Sequence, residues 1–196
     1  MQSYLFFLRL NIRTHLTLLR VFATELGKVQ SKEVKPESLA TLVTPSMQRI
    51  LPVLRLYSSW LSRNVDVLSN NIDVNLQPLQ AEFWTYYAQV LTMINATFPP
   101  QHLPQSPAYM LSEDEDTIGL IALHCDENRA LWFDGGELRT KWHEVPTHHR
   151  NASTEMLARV RDLLAVGVGF AVNEVCFPRR ERGLIANPSA SVRLLS

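Results

Sequence analysis

The sequence predicts an all-α fold in which long antiparallel helices pack as a helical-hairpin bundle or a solenoid-like lobe, with one irregular insertion. Apolar residues recur at intervals of three and four over several long stretches, which is the spacing of one helix face. No alternating apolar and polar pattern is long enough to build a sheet. A proline opens the second periodic segment and a proline-rich stretch ends the third, which marks helix boundaries. No repeat of fixed period is visible, so a regular repeat array is not expected.

The first helix is predicted over residues 2–30, where one face carries Leu5, Leu8, Ile12, Leu16, Leu19, Phe22, Leu26 and Val29. A second helix is predicted over residues 45–68. Thr44 before Pro45 is a typical helix start, because threonine caps free backbone N–H groups and proline suits the first turn. Pro52 lies inside the second apolar pattern, so we expect a kink there or a later start of the helix.

A third helix is predicted over residues 73–98 and ends at the proline-rich stretch "FPPQHLPQSP", because prolines cannot continue the helical hydrogen bonds. Residues 99–150 are predicted to be a loop-rich insertion. The last helix is predicted over residues 152–176. Residues 1–177 therefore form the predicted helical lobe, and residues 178–196 an extended or disordered tail.

Two glycines interrupt the last predicted helix. An exposed glycine inside a helix costs about 1 kcal/mol relative to alanine. We therefore expect Gly167 and Gly169 to allow the close approach of another backbone.

The composition limits the function classes. The chain has 196 residues with 19 basic and 19 acidic side chains, so its net charge does not predict nucleic-acid binding. Residues 1–70 nevertheless carry nine basic and four acidic residues, whereas residues 71–116 carry six acidic residues and no Lys or Arg. Two cysteines favour an intracellular protein. No stretch reaches the ~18 apolar residues of a membrane helix, and "MQSYLFFLRL" lacks the cleavage site of a signal peptide.

A run of four carboxylates, Glu113 to Asp116, is the first candidate for chemistry. Hard divalent cations prefer such oxygen ligands, but neighbouring carboxylates cannot all face one ion. We favour a structural interpretation in which Ser112 caps a short helix and Glu115 completes a capping box at the third helical position. The other acids would then be solvated and would lie near the positive end of the helix.

Histidine and cysteine side chains offer a weaker alternative. His124, Cys125, His143, His148 and His149 include residue types that bind zinc, yet no Cys-x-x-Cys spacing accompanies them. Cys125 beside His124 is also a weak nucleophile pair, since sequence neighbours lack the geometry that a base needs. No phosphate-binding loop is present, and Gly135-Gly136 is typical of a turn. We therefore predict no catalytic residues, no metal site and no cofactor.

Basic residues near both ends are the candidate nucleic-acid contacts. Arg9, Arg13, Arg20 and Lys28 belong to the first helix, and Arg179, Arg180 and Arg182 to the tail. Such clusters attract phosphate without reading sequence; the alternative is an ordinary solvated helix face. Trp60, Trp84, Tyr86 and Tyr87 could stack on bases, but we expect most of these rings to be in the core.

Four segments, taken in order, resemble one family. "MQRILPVLRLYSSWLSRNVDVL", "FWTYYAQVLTMIN", "LSEDEDTIGLIAL" and "RVRDLLAVGVGFAV" are similar to segments of the Est/Smg family, the adaptors of telomere maintenance and nonsense-mediated mRNA decay, especially its fungal members. The third segment is the most distinctive and contains the motif residues Glu113, Asp114, Gly119 and Leu123. It differs from the family pattern Gly-Phe-x-Pro-Leu in lacking the phenylalanine and the proline.

The resemblance implies the carboxyl-terminal helical-hairpin part of that family's DNA/RNA-binding domain, a lobe related to tetratricopeptide folds, without the 14-3-3-like amino-terminal half. It implies a non-enzymatic adaptor in the nucleus and/or the cytoplasm. The implied partners are other decay or telomerase proteins and single-stranded RNA or DNA, with no membrane. Two alternatives remain: a protein-interaction module or truncated paralogue that binds no nucleic acid, and a metal-dependent enzyme.

Overall fold

Four long helices dominate the part of the chain that the structure describes. A computed structural model describes residues 2–30, 32, 35–69, 74–120, 129 and 131–172, and the predicted tail lies outside these residues. The long helices are α1 (Gln2–Val29), α2 (Pro45–Ser69), α3 (Gln77–Thr97) and α5 (Ala152–Val172), and a short helix, α4 (Ser112–Asp116), lies between the last two. The predicted all-α fold is confirmed.

The apolar stripe of α1 forms much of the core. Ile12, Phe22 and Leu26 are fully buried, and this face packs mainly against α3 and α2. α1 and α2 are antiparallel, because Glu25 contacts Thr44 whereas Asn11 contacts Tyr57. The spacing of three and four therefore identified the buried face correctly, since each of these side chains removes apolar surface from water.

α2 begins where its sequence predicts and bends elsewhere. The Thr44 hydroxyl accepts a hydrogen bond from the Met47 backbone N–H at 3.3 Å, which is the expected capping contact. Pro52 neither starts nor interrupts the helix; the non-helical backbone is at Asn64, with φ −114° and ψ 24°. The Asn64 side-chain amide donates to the Trp60 carbonyl at 2.9 Å, so a local side-chain bond accompanies the break in the helix.

α3 starts at Gln77 rather than at residue 73, and residues 74–76 form a turn. Pro78 explains the later start, because proline is favoured in the first helical turn and has no N–H to contribute to an earlier one. α3 is antiparallel to α5: Trp84 contacts Phe170, whereas Leu91 contacts Gly167.

The two glycines of α5 differ in their surroundings. At Gly167 an added Cβ would lie 2.4 Å from a terminal carbon of the buried Leu91 side chain, whereas at Gly169 it would meet nothing within 4 Å. The expected close approach is therefore found at Gly167 only, and the neighbour is a side chain rather than a backbone.

Gly167→Ala is expected to lower the free energy of unfolding by about 1–3 kcal/mol, because the extra methyl overpacks the α3–α5 contact. Gly169→Ala is the matched control and should be neutral or stabilising by up to ~1 kcal/mol, since alanine is the better helix former. Urea denaturation of the two variants checks the pair. Equal free energies of unfolding for the two variants would contradict the prediction, because the α3–α5 contact would then accommodate the added methyl without cost.

The insertion is mostly irregular. Its described part includes short 3-10 helices at Pro100–His102, Trp142–Glu144 and Thr147–His149, and a pair of short antiparallel strands, β1 (Phe133–Asp134) and β2 (Glu137–Leu138). Gly135 and Gly136 form the turn between the strands with positive φ, as the sequence predicts. Trp132 and Met110 form a small second core, against which Leu56 and Trp60 of α2 pack. Within the described ranges, no helix has the length and apolarity to cross a membrane.

Candidate functional site

The predicted basic residues of α1 fall into two classes. Arg20 forms an ion pair with Glu82 of α3, and its guanidinium lies 5.2 Å from the ring centre of Tyr86. Lys28 forms an ion pair with Glu25 one turn earlier on the same helix. Both cations are exposed, but each is already partly neutralised, which weakens its attraction for a phosphate.

Arg9 and Arg13 form the second class. Arg13 is exposed and Arg9 is half-buried. Neither forms an ion pair with any residue that the structure describes. Residues 1–24 contain three arginines and no acid. The uncompensated positive charge of α1 therefore lies in its amino-terminal half.

Exposed apolar side chains lie in the same end of α1 as these two arginines. Tyr4, Phe6, Phe7 and Leu10 are all exposed, although large aromatic rings are usually at least partly buried. Sequence analysis missed these exposed side chains, although Phe6, Phe7 and Leu10 lie off the three-and-four spacing of the buried stripe, which is the signal that could have identified them. Of the four aromatic residues singled out from the sequence, Trp84 and Tyr87 are buried, whereas Trp60 and Tyr86 are half-buried.

The acidic segment differs from its prediction. α4 is preceded by Leu111, whose backbone N–H donates to the Asp114 carboxylate at 3.4 Å. Ser112 is therefore the first helical residue rather than the cap, and the acid that reaches back is Asp114 rather than Glu115. Glu115 instead pairs with His143, from whose backbone N–H it also accepts a bond of 3.2 Å.

Glu113 and Asp114 are buried, so the expectation of a solvated acidic run is wrong for both. Their partners are two buried arginines, Arg55 of α2 and Arg159 of α5. Short charge runs are usually solvated because isolated charges cannot leave water cheaply. These two are buried because guanidinium groups replace their water.

Arg55 is the centre of this ion-pair network. Its Nη1 and Nη2 donate to the two Asp114 oxygens at 2.5 and 3.0 Å. Its Nε donates to Asp162 of α5 at 2.7 Å, and Nη1 also contacts Glu113 at 3.3 Å. Arg159 completes the network with two bonds to Glu113 of 2.8 and 2.7 Å. The network therefore joins α2, α4 and α5, which are distant in the sequence.

Burial and charge act in opposite directions on these groups. Burial acts to lower the pKa of Arg55, but the charges of Asp114 and Asp162 outweigh it and raise that pKa. Burial acts to raise the pKa of Glu113, but the bonds and charge of Arg159 hold it below its usual value. At Asp114 burial prevails and the pKa is raised, although Arg55 opposes the shift. These opposing effects leave a buried network of paired charges that connects α2, α4 and α5.

The metal alternatives find no geometric support among the residues that can be described. There, no group of three His, Cys, Asp or Glu side chains is placed to hold an ion. The rings of His148 and His149 contact each other edge to face, with centroids 4.2 Å apart. His124 and Cys125 lie outside the described residues, as do the tail arginines Arg179, Arg180 and Arg182.

The remaining motif residues occupy a turn. Gly119 has φ +83°, a backbone conformation that favours glycine. Leu120 after it is exposed. Leu123 lies outside the described residues.

A family model described as "Est1 DNA/RNA binding domain" matches residues 1–127. The match includes α1 to α4, with Arg55, Glu113 and Asp114 of the network, and ends before α5. A search of curated proteins and a search of solved structures each found no match.

Proposed function

This chain belongs to the Est1 DNA/RNA binding domain family, and from that membership we propose that it is a nucleic-acid-binding adaptor that binds single-stranded RNA or DNA and has no catalytic activity. The observation that carries the proposal is the pair Arg9 and Arg13, whose charge no described acid neutralises. Lysine and arginine bind phosphates of any sequence and release the counterions condensed there. The proposed contact is therefore electrostatic and independent of sequence.

The other predicted cations contribute less to phosphate binding than Arg9 and Arg13. Arg20 and Lys28 contribute less because their acidic partners compete with phosphate. Arg179, Arg180 and Arg182 of the tail add further phosphate contacts. As an adaptor, the chain would link the strand to proteins of mRNA decay or telomere maintenance, in the nucleus and/or the cytoplasm.

The double variant Arg9→Gln/Arg13→Gln is expected to bind a short unstructured single strand roughly 10- to 30-fold more weakly at 0.1 M salt. The slope of log K against log[salt] should become shallower by about 1.4, since each lost contact to a single strand removes about 0.7. Fluorescence anisotropy titrations at several salt concentrations measure both quantities.

Lys28→Gln is the matched control for this titration and should change the affinity much less, because Lys28 is already paired with Glu25. Salt-independent binding, or a parent chain that binds no strand at low salt, would refute the proposal. The same loss in both variants would mean that the ion pairs on α1 do not govern the contact.

A second function is a protein-interaction module without nucleic-acid binding. The exposed apolar side chains at the start of α1 favour it, since such patches are frequent at protein interfaces. Light scattering separates the two functions. A monomer that binds a single strand supports the adaptor, and a concentration-dependent oligomer without strand binding supports the module.

A further inference from the structure

Three aromatic rings at the start of α1 are exposed although the opposite face of the same helix is buried. Tyr4 is 54% exposed, and Phe6 and Phe7 are each 64% exposed. The Phe6 and Phe7 rings meet edge to face, with centroids 5.7 Å apart and an angle of 75° between their planes. A ring pair in this arrangement presents ring faces or edges that a planar group could contact.

The arginines share a helix face with one of these rings. Phe6, Arg9 and Arg13 follow each other at intervals of three and four, so their side chains lie along one line of α1. Arg20 continues the line, and its guanidinium contacts the Tyr86 ring. At 1.5 Å per residue the line from Phe6 to Arg20 is about 21 Å long, so it can contact several successive nucleotides.

The positive charge near the rings indicates which kind of partner binds there. Residues 1–24 carry no acid, so this half of α1 attracts a polyanion. A partner that is only apolar would have to desolvate Arg9 and Arg13 without compensating their charge, which is unfavourable. Cations that follow a phosphate backbone beside rings that stack on its bases are the usual means of binding single strands.

We infer that unpaired bases of a single strand stack on the rings of Phe6 and Phe7 while Arg9 and Arg13 bind the adjoining phosphates. The inference rests on the proposed function and gives it a site. Because bases in a duplex are already stacked on each other, the rings discriminate in favour of unpaired strands. Because every base has an aromatic face, the contact tolerates any sequence.

The test compares two probes of equal charge, an unstructured oligonucleotide and an abasic strand of the same length. The parent chain should bind the base-bearing strand roughly 5- to 150-fold more tightly for each base that stacks. The variant Phe6→Leu/Phe7→Leu keeps apolar, helix-compatible side chains but removes both rings. It should lose most of this preference while its salt slope stays that of the parent.

Val21→Ala is the matched control, since Val21 is another exposed apolar residue of α1 without a ring, and it should keep the preference. If the parent binds neither probe, the proposed function itself fails. If the parent binds both probes equally, or if the double leucine variant keeps the preference, the stacking inference is overturned and the arginine contact stands. A parent dimer that the leucine variant loses, and with which the strand does not compete, also overturns the inference, because the rings would then form a protein interface.

Discussion

Arg55→Met is expected to lower the free energy of unfolding by about 3–5 kcal/mol, the cost of removing one partner from a buried ion pair. Arg55 is 3% exposed and donates to Asp114, Asp162 and Glu113. Methionine fills a similar volume but leaves these carboxylates without their shared donor. Of the three carboxylates, Asp114 loses the most stabilisation, because it is the most deeply buried and accepts two of the hydrogen bonds from Arg55.

Chemical denaturation at pH 7 measures this loss, and Arg49→Met is the matched control. Arg49 is an exposed arginine on the same helix, and surface substitutions usually change stability by less than 0.5 kcal/mol. The deficit of Arg55→Met relative to the parent should shrink as the pH falls, because a protonated carboxyl no longer needs a cation. Equal stability of the two methionine variants would mean that the network contributes nothing to the fold.

Acidification from pH 7 to pH 5 is expected to lower the stability of the parent chain by about 2 kcal/mol through His15 alone. His15 is buried between α1 and α2, where its ring stacks on Tyr57 and its Nδ1 lies 3.2 Å from the Asn11 carbonyl oxygen. Its buried Nε2 has no partner among the described residues. Burial lowers the pKa of His15 from 6.5 to about 4.

The direction of this pH dependence follows from whether the folded or the unfolded chain binds the proton of His15 more tightly. Between pH 6.5 and pH 4 the histidine is protonated in the unfolded chain but neutral in the folded one. The unfolded state therefore binds more protons, and stability decreases as the pH falls through this window. Glu25, Glu113 and Glu115 have pKa values below their usual 4.5, so the stability that their ionised forms contribute is lost only at lower pH.

His15→Leu should remove this dependence and keep the stability at pH 7, since leucine is apolar and a good helix former. Urea midpoints at several pH values between 5 and 7 check the slope. His102→Gln, a change at an exposed histidine, is the control and should retain the slope of the parent. A parent chain with no slope in this range would contradict the burial of a neutral His15.

Several features could be predicted because they depend on neighbours in the sequence. The bond from Met47 to the Thr44 hydroxyl spans three residues, and Gly135-Gly136 closes a turn within its own hairpin. The buried face of α1 follows from helical spacing alone. Pro52 shows the limit of such rules: it lies beyond the first helical turn, where a missing N–H would cost nothing, yet α2 continues through it.

The candidate site could be predicted only in part. The arginines of α1 were identified from their charge, but the sequence gives no sign that Arg20 meets Glu82, which is 62 residues away. Nor does it indicate that Glu113 and Asp114 would be buried. Arg55 is 59 residues from Asp114 and 107 residues from Asp162, so no local pattern joins them.

The sequence by itself determined where the long helices lie, which face of each is apolar, and which family the order of motifs resembles. The positions and apolar faces of the helices are consequences of backbone geometry and hydrophobic periodicity, which act over a few residues, whereas the family rests on the resemblance of the motifs. Only the tertiary structure decided that Arg20 pairs with Glu82 while Arg13 pairs with no acid that the structure describes, that two acids of α4 are buried, and that Phe6 and Phe7 are exposed. The physical reason is that desolvation and ion pairing depend on which helices come together in space. Partners that lie tens of residues apart in the sequence leave no local pattern from which their contact could be predicted.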